Sequence, residues 1–131
     1  MNKENSDKIK NDFPRLFPEK FGFECGDGWF DLLYKLARRV DRQVDKLPSD
    51  EHDGVMFFQI KEKFGSLRIY WRITIANSDI VENIRALVNY AEYKSTKLCD
   101  KCGKEGISRN DIGWVRTLCE EHHQEIKNKR V

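Results

Sequence analysis

The strongest constraint on the fold is a pair of short cysteine and histidine motifs near the C-terminus. Cys99 and Cys102 are separated by two residues, sixteen residues follow, and Cys119 and His122 repeat the two-residue spacing. Two intervening residues let a tight turn, or the first turn of a helix, direct two donors at one ion, and the longer gap accommodates one hairpin. The spacing therefore predicts a tetrahedral zinc site with these four residues as ligands.

A set of three cysteines and one histidine fills the tetrahedron, whereas catalytic zinc sites keep one position for water. We therefore predict a structural zinc ion in a C-terminal module, residues 98–131, of the treble-clef or zinc-ribbon type. His123 directly follows His122 and could replace it, so the identity of the fourth ligand stays open. Cys25 lies far from the motif and is predicted to be a small core residue.

Length and composition limit the rest of the chain to one domain. The 131 residues include 35% charged residues and carry a net charge of +2, so any attraction to nucleic acid must be local. The predicted organisation is an α+β core domain with an N-terminal arm over residues 1–97, followed by the zinc module. No apolar run is long enough to cross a membrane and residues 1–12 carry no secretory signal, which predicts a cytoplasmic protein.

Hydrophobic periodicity predicts two helices in the core domain. Gly26-Asp27-Gly28 indicates a helix entry with Asp27 as the N-cap, and apolar residues follow at helical spacing over residues 29–47. A second helix is predicted from Asn77 to about Lys94, whereas residues 1–12 are predicted to be a frayed arm. With the hairpin described next, the predicted fold class is α+β, with two helices packed on an antiparallel sheet centred on that hairpin.

Two alternating runs, residues 55–64 and 67–76, flank Gly65-Ser66, the composition of a two-residue type II′ hairpin loop. In this register Phe64 opposes Leu67 and Lys63 opposes Arg68, Phe58 faces the core, and Phe57 is exposed. The exposed side combines cations with an aromatic ring, which suits phosphates and a stacked base, although a solvated basic face is the alternative. Trp114 and Arg116 could extend this surface from the zinc hairpin, although packing of the module onto the core is the alternative for Trp114. The candidate ligand-binding residues are Lys61, Lys63, Arg68, Tyr70, Arg72 and Trp114.

The sequence leaves enzyme activity open but favours a negative answer, and it offers no catalytic residues. A nuclease of the HNH type would need a histidine between the two ligand pairs, and residues 103–118 contain none. His52-Asp53 resembles the metal-binding dipeptide of HD hydrolases, but it is a lone dipeptide in an acidic loop. Glu62 is predicted to point to the apolar side of the hairpin, where burial without a partner would raise its pKa. Because it lies near the hairpin tip, the favoured interpretation is that it reaches water or pairs with a helix arginine.

Three motifs together resemble a family of small proteins of unassigned function found in bacteriophages and prophages. They are Cys25-Gly26-Asp27-Gly28-Trp29, residues 61–70 (KEKFGSLRIY), and Cys99-x2-Cys102-Gly103 with Gly113-Trp114-x2-Thr117-Leu118-Cys119-x2-His122. The resemblance implies a phage setting, and hence the cytoplasm of a host cell, without implying an activity. Small early phage proteins often act against host defence by binding a host protein or capturing a nucleotide signal.

Two hypotheses of different classes follow. The first is a non-enzymatic zinc protein that binds a nucleotide signal or a nucleic acid through the basic hairpin face, in phage counter-defence. The second is a protein-interaction module that inhibits a host protein, with Phe57, Tyr70 and Trp114 as anchors. A hydrolase that uses Glu62 or His52 is a third and less favoured hypothesis.

Overall fold

A computed structural model of the chain describes residues 1–129 and confirms the α+β class. The elements are α1 (Lys3–Asp12), β1 (Phe23–Glu24), α2 (Phe30–Asp45), β2 (Val55–Lys63), β3 (Ser66–Ile73), α3 (Ser78–Ser95), β4 (Ile107–Arg109), β5 (Arg116–Leu118) and α4 (Glu120–Lys129). Strands β1, β2 and β3 form one sheet in that order, and β4 pairs with β5 in a second. None of these helices combines the length and the apolar character needed to span a membrane.

The prediction that residues 1–12 form a frayed arm is wrong, because residues 3–12 form helix α1. The Asn2 side chain caps the helix by accepting a hydrogen bond from the Asn5 N–H (2.8 Å). Ile9 is fully buried, and Lys10 Nζ donates to the Phe21 carbonyl (2.9 Å). A single buried side chain in a polar segment gives too weak a periodicity to reveal a helix from sequence.

Helix α2 begins at Phe30, two residues later than an N-cap at Asp27 implies, and Asp27 is not its N-cap. Residues 27–29 form a 3-10 turn before α2. The Asp27 carboxylate instead accepts hydrogen bonds from the Asn2 N–H (2.7 Å) and from Asn5 Nδ2 (3.2 Å), so it holds α1 in place. The helix itself is amphipathic as predicted, with Leu33, Leu36, Ala37, Val40 and Val44 in the core.

The hairpin turn lies one residue earlier than predicted. Phe64 and Gly65 have positive φ values of 54° and 85°, and Lys63 pairs with Ser66. Two consecutive positive φ values define a type I′ turn, whose twist suits a two-residue hairpin. Lys61 therefore opposes Arg68, and the predicted pairing of Lys63 with Arg68 is wrong.

A β-bulge at Phe58 reverses the faces of the first half of β2. The register shifts between Phe57 and Gln59, so Phe57 is fully buried whereas Phe58 is 58% exposed, the opposite of the prediction. Beyond the bulge the predicted faces hold, with Ile60 and Leu67 in the core. β1, which the sequence analysis did not predict, adds a parallel strand beside β2 and pairs Glu24 with Lys61.

Helix α3 covers the outer edge of β3. Ser95 Oγ accepts a hydrogen bond from the Leu67 N–H, and Glu92 Oε2 accepts one from the Ile69 N–H, both at 2.9 Å. These side chains satisfy backbone donors that an edge strand would otherwise expose. The core consequently lies between one side of the sheet, α2, α3 and the aromatic segment after α1, and the other side of the sheet is left open to solvent.

Candidate functional site

The four predicted metal ligands converge where the knuckle turn, the β4–β5 hairpin and α4 meet. Cys99 and Cys102 lie on the knuckle turn, which closes with a hydrogen bond from the Gly103 N–H to the Cys99 carbonyl (2.9 Å). Cys119 directly precedes α4, and His122 lies in the first turn of that helix. The four donor atoms all lie within 4.8 Å of one another. The cluster is therefore consistent with a metal site in a treble-clef arrangement.

Distances within the cluster show which atoms face one another. Cys119 Sγ lies 3.8 Å from Cys102 Sγ and 3.2 Å from His122 Nδ1, and Cys99 Sγ lies 3.5 Å from the same nitrogen. His122 therefore presents Nδ1 to the cluster. Its Nε2 faces Glu125 at 3.7 Å, the kind of carboxylate contact that orients a ligating imidazole.

The backbone prepares one thiol of the cluster for ionisation. Burial opposes the Cys99 thiolate, but backbone N–H groups of Cys119, Lys101 and Cys102 outweigh it and hold the pKa of Cys99 below its usual value. Desolvation and the neighbouring sulfur atoms raise the pKa of Cys102. Metal ligation requires thiolates, so a bound cation would relieve the mutual repulsion that disfavours the second charge.

The structure distinguishes the two adjacent histidines. His123 is buried on the other side of α4, and its Nε2 lies 2.7 Å from Asp111 Oδ1. Lys127 Nζ also contacts Asp111, at 3.3 Å, so His123 belongs to a polar group that ties α4 to the loop after β4. The cluster contains His122 and not His123.

We expect His122→Gln to weaken metal binding strongly, because it removes one of four ligands, and His123→Gln to leave the metal content unchanged. Titration with Co²⁺ measures this directly, since the visible absorption of the bound ion reports its sulfur and nitrogen ligands. His123→Gln is the matched control, because it loses a buried contact without touching the cluster. The assignment of the fourth ligand is wrong if His123→Gln, and not His122→Gln, abolishes the Co²⁺ spectrum.

The motif Cys25-Gly26-Asp27-Gly28-Trp29 joins the core to the metal module, which we define as residues 98–129. The Gly28 N–H donates to the Asp100 carbonyl, and Trp29 Nε1 donates to the Leu98 carbonyl, both at 2.9 Å. A Cβ atom built on Gly28 would lie 2.1 Å from the Cys99 carbonyl oxygen, and one on Gly26 would lie 2.1 Å from that of Asp100. The two glycines therefore permit direct backbone contact between the core and the knuckle.

A second contact joins the hairpin turn to the metal module. Thr117 Oγ1 donates to the Gly65 carbonyl (2.6 Å), and the Asp100 N–H donates to the Thr117 carbonyl (2.9 Å). Arg116 forms a two-pronged salt bridge with the buried carboxylate of Asp100, at 3.0 and 2.6 Å. Arg116 therefore does not extend the basic surface as predicted, because its guanidinium points inward. Trp114 lies in the connection between β4 and β5 with half of its side chain exposed.

The five hairpin residues predicted to bind a ligand share one solvent-facing side of the three-stranded sheet, which we call the exposed sheet face. It comprises Lys61, Lys63, Arg68, Tyr70 and Arg72 with the added residues Glu24, Phe58 and Gln59. Lys61 lies directly between Glu24 and Arg68 in the strand pairing, and Gln59 Nε2 donates to Glu24 (3.1 Å). The Phe58 and Tyr70 rings lie 6.1 Å apart.

Glu24 and Phe58 were missed for different reasons. Glu24 follows Phe23 in a strand of two residues, which is too short for an alternating pattern to be visible. Phe58 is one of two adjacent phenylalanines, and only the bulge decides which of them is buried. The pattern Phe57-Phe58 within an otherwise alternating run is the one feature that could have indicated a bulge.

The residues considered for catalysis have structural partners. His52 Nε2 contacts the Leu47 carbonyl (2.8 Å), and its Nδ1 faces Arg15 Nη1 (3.2 Å), a donor that fixes Nδ1 as the acceptor. Glu62 Oε2 accepts a hydrogen bond from the Gly65 N–H (2.8 Å) and so closes the hairpin turn. Glu62 is therefore not a buried carboxylate without a partner.

The site and fold together define a small α+β protein with a treble-clef-like Cys3His cluster. No protein-family model matches the chain, and comparisons with curated proteins and with solved structures give no match either. The function is therefore inferred from the cluster and from the surfaces around it.

Proposed function

We propose that this is a non-enzymatic, zinc-stabilised protein that binds single-stranded nucleic acid on the exposed sheet face. The proposal is based on the lack of bonding partners, in the part of the chain that the structure describes, for four cationic side chains, those of Lys61, Lys63, Arg68 and Arg72. Within residues 1–129, none of these four side chains has an ion-pair partner or a hydrogen-bond partner. Four unpaired cations beside one carboxylate, Glu24, leave a local positive field that a polyanion would neutralise.

Zinc is the ion that best suits the cluster. With Zn–S bonds of about 2.3 Å and Zn–N bonds of about 2.0 Å, tetrahedral ligands lie about 3.8 Å (S to S) and about 3.5 Å (S to N) apart. The separations of 3.8 Å between Cys102 and Cys119 and 3.5 Å between Cys99 and His122 agree with these values, and that of 3.2 Å between Cys119 and His122 is shorter. Three thiolates and one imidazole also complete the tetrahedron, which supports a structural role for the ion.

The shape of the exposed sheet face favours a nucleic acid over a free mononucleotide. Small ligands bind in concave sites that enclose most of their surface, whereas an open sheet face offers one side only. The Phe58 and Tyr70 side chains, 58% and 41% exposed, offer ring surfaces to unstacked bases. Lys61 Nζ lies 5.8 Å from the centre of the Tyr70 ring, so a phosphate contact can sit next to a stacked base.

We expect Arg68→Gln and Lys63→Gln each to weaken binding of a short single-stranded oligonucleotide and to reduce its salt dependence. Four phosphate contacts correspond to a slope of about −3 in log K against log salt, and each lost contact removes about 0.7. Tyr70→Ser should cost about 1 to 3 kcal/mol if one base stacks on its ring. Fluorescence anisotropy of a labelled oligonucleotide at several salt concentrations measures both effects.

The matched control is Arg42→Gln, which removes the same charge from the exposed side of α2 and should leave binding unchanged. The proposal fails if no oligonucleotide binds at low salt, or if Arg42→Gln weakens binding as much as Arg68→Gln. The same samples test the non-enzymatic part of the proposal, because the oligonucleotide should remain intact with and without added divalent cations.

A second candidate function, inhibition of a host protein, is favoured by the exposed aromatic residues. Phe58, Phe64 and Tyr70 are all exposed at the hairpin, and Phe58 replaces Phe57 as the predicted anchor. Only the motif resemblance supports a phage setting, a location in the host-cell cytoplasm and a role in counter-defence. This alternative expects Phe58→Ser to abolish capture of a host protein while the oligonucleotide assay stays blank.

A further inference from the structure

The helical side of the molecule contains a cavity that is separate from the exposed sheet face. It has a volume of about 480 Å³ and lies between α2 and α3, with the start of α1 and the knuckle turn at one end. No strand residue lines it. Cavities of this size are in the range that encloses small organic ligands.

Within residues 1–129, the cationic side chains of the cavity have no ion-pair or hydrogen-bond partner. Lys35 and Arg39 lie one turn apart on α2. Lys94 lines the cavity from α3 at the end nearer to Asp31, because α2 and α3 run antiparallel, with Gln43 against Asn83. In the part of the chain that the structure describes, none of the three side chains makes an ion pair or a hydrogen bond. Arg39 can bind a phosphate through two parallel hydrogen bonds, and Lys35 can add a point charge.

The middle of the cavity is apolar and is flanked by aromatic rings. Leu36, Leu87 and Ala91 contribute apolar surface, and Phe30 and Tyr90 contribute rings from α2 and α3 respectively. Tyr90 is half exposed and has no ring or hydrogen-bond contact within residues 1–129. This combination of surfaces suits a flat, weakly polar body that carries an anionic group.

The other end of the cavity offers hydrogen-bond acceptors. Asp27 and Asp31 line it near the knuckle turn. Asp31 and Arg39 are two helical turns apart on α2, which corresponds to about 12 Å along the helix axis. A ligand that spans the cavity would therefore place an anion near Arg39 and donor groups, such as hydroxyl or amino groups, near the carboxylates.

We propose that this cavity binds a nucleoside monophosphate. Its phosphate contacts Lys35 and Arg39, its base lies on the apolar wall beside Tyr90, and its hydroxyl or amino groups donate to Asp27 and Asp31. The site is independent of the nucleic-acid surface, because the two share no residue.

The test compares AMP, GMP, CMP and UMP with two partial ligands, inorganic phosphate and adenosine, by calorimetry and by chemical-shift mapping. At least one nucleotide should bind more tightly than either partial ligand and shift the methyl resonances of Leu36 and Leu87. Arg39→Gln and Lys35→Gln should each weaken binding of that nucleotide about tenfold. Arg42→Gln, one helical turn beyond the cavity, and Arg68→Gln on the exposed sheet face should bind it as the wild type does.

Three results would overturn the proposal. One is that none of the four nucleotides binds at millimolar concentration, and another is that inorganic phosphate binds as tightly as the best nucleotide. The third is that Arg39→Gln weakens oligonucleotide binding as much as nucleotide binding, since the two sites would then be one. Failure of the oligonucleotide assay with normal nucleotide binding would contradict only the function proposed for the exposed sheet face.

Discussion

Cys119→Ser should abolish metal binding and unfold the C-terminal third of the chain, and removal of the metal by a chelator should do the same to the wild type. The metal module buries only a small apolar cluster, formed by Cys99, Ile112, Leu118 and Cys119 with Ile126 beside it. Such a module is too small to fold on its own core, so the free energy of metal binding is its folding free energy.

The magnitude of this effect is large on the scale of protein stability. Structural zinc contributes about 10 to 16 kcal/mol of apparent binding free energy in small zinc domains, compared with about 5 to 15 kcal/mol for the total stability of a domain. The loss should also reach the core, because Trp29 and Gly28 would lose their hydrogen bonds to the knuckle. Metal analysis, thermal unfolding and the indole resonance of Trp29 measure the three consequences separately.

Cys25→Ser is the matched control for this experiment. Cys25 lies outside the cluster, and burial raises the pKa of its thiol to about 12, so it is a protonated, partly buried side chain. The variant should keep one metal ion per chain even if it loses some stability. Wild-type stability in Cys119→Ser, or equal loss of metal in both variants, would contradict a structural metal site at Cys99, Cys102, Cys119 and His122.

The sequence predicted the metal cluster because its determinant is local. Ligand spacing of two residues within each pair allows few geometries, and both the knuckle turn and the start of α4 place their donors as expected. Local spacing does not determine whether His122 or His123 is the fourth member of the cluster. That choice depends on the contact of His123 with Asp111 across the module, which spacing alone does not encode.

The hairpin shows why part of the fold could not be predicted. Its strands and its basic side were visible as alternation, but the turn type was decided by Phe64, which adopts a positive φ that its residue type rarely favours. Glu62 and Thr117 hold that turn through hydrogen bonds to the N–H and the carbonyl of Gly65. Since Thr117 belongs to the metal module, a distant segment takes part in holding the turn that sets the register of the hairpin.

The glycines of the motif Cys25-Gly26-Asp27-Gly28-Trp29 were correctly placed next to a helix start, but their main role was not predicted. In the sequence they indicate a helix entry, and Asp27 does precede α2. In the structure they lie against the backbone of Cys99 and Asp100. Contact between segments about seventy residues apart has no signature in a single sequence, apart from the presence of two glycines around one polar residue.

Gly28→Ala should therefore destabilise the protein although it adds a single methyl group. The added Cβ would lie 2.1 Å from the Cys99 carbonyl oxygen, 2.6 Å from the Asp100 carbonyl carbon and 2.7 Å from the Gly103 nitrogen. All three are backbone atoms of the knuckle, so the clash cannot be relieved by a side-chain rotation. The knuckle must move away and give up the hydrogen bond from the Gly28 N–H, at a cost of about 3 kcal/mol or more.

For a chain of this size the cost corresponds to a decrease in melting temperature of roughly 10 °C. Gly22→Ala is the matched control, since no atom lies within 4 Å of its added Cβ and its exposed position should leave stability within about 0.5 kcal/mol of the wild type. Because the metal ligands are untouched, Gly28→Ala should retain its metal ion while the Trp29 indole resonance shifts, which separates undocking of the module from loss of the ion. Equal melting temperatures for the two alanine variants would show that the knuckle is not held against Gly28, and the role assigned to the motif would be wrong.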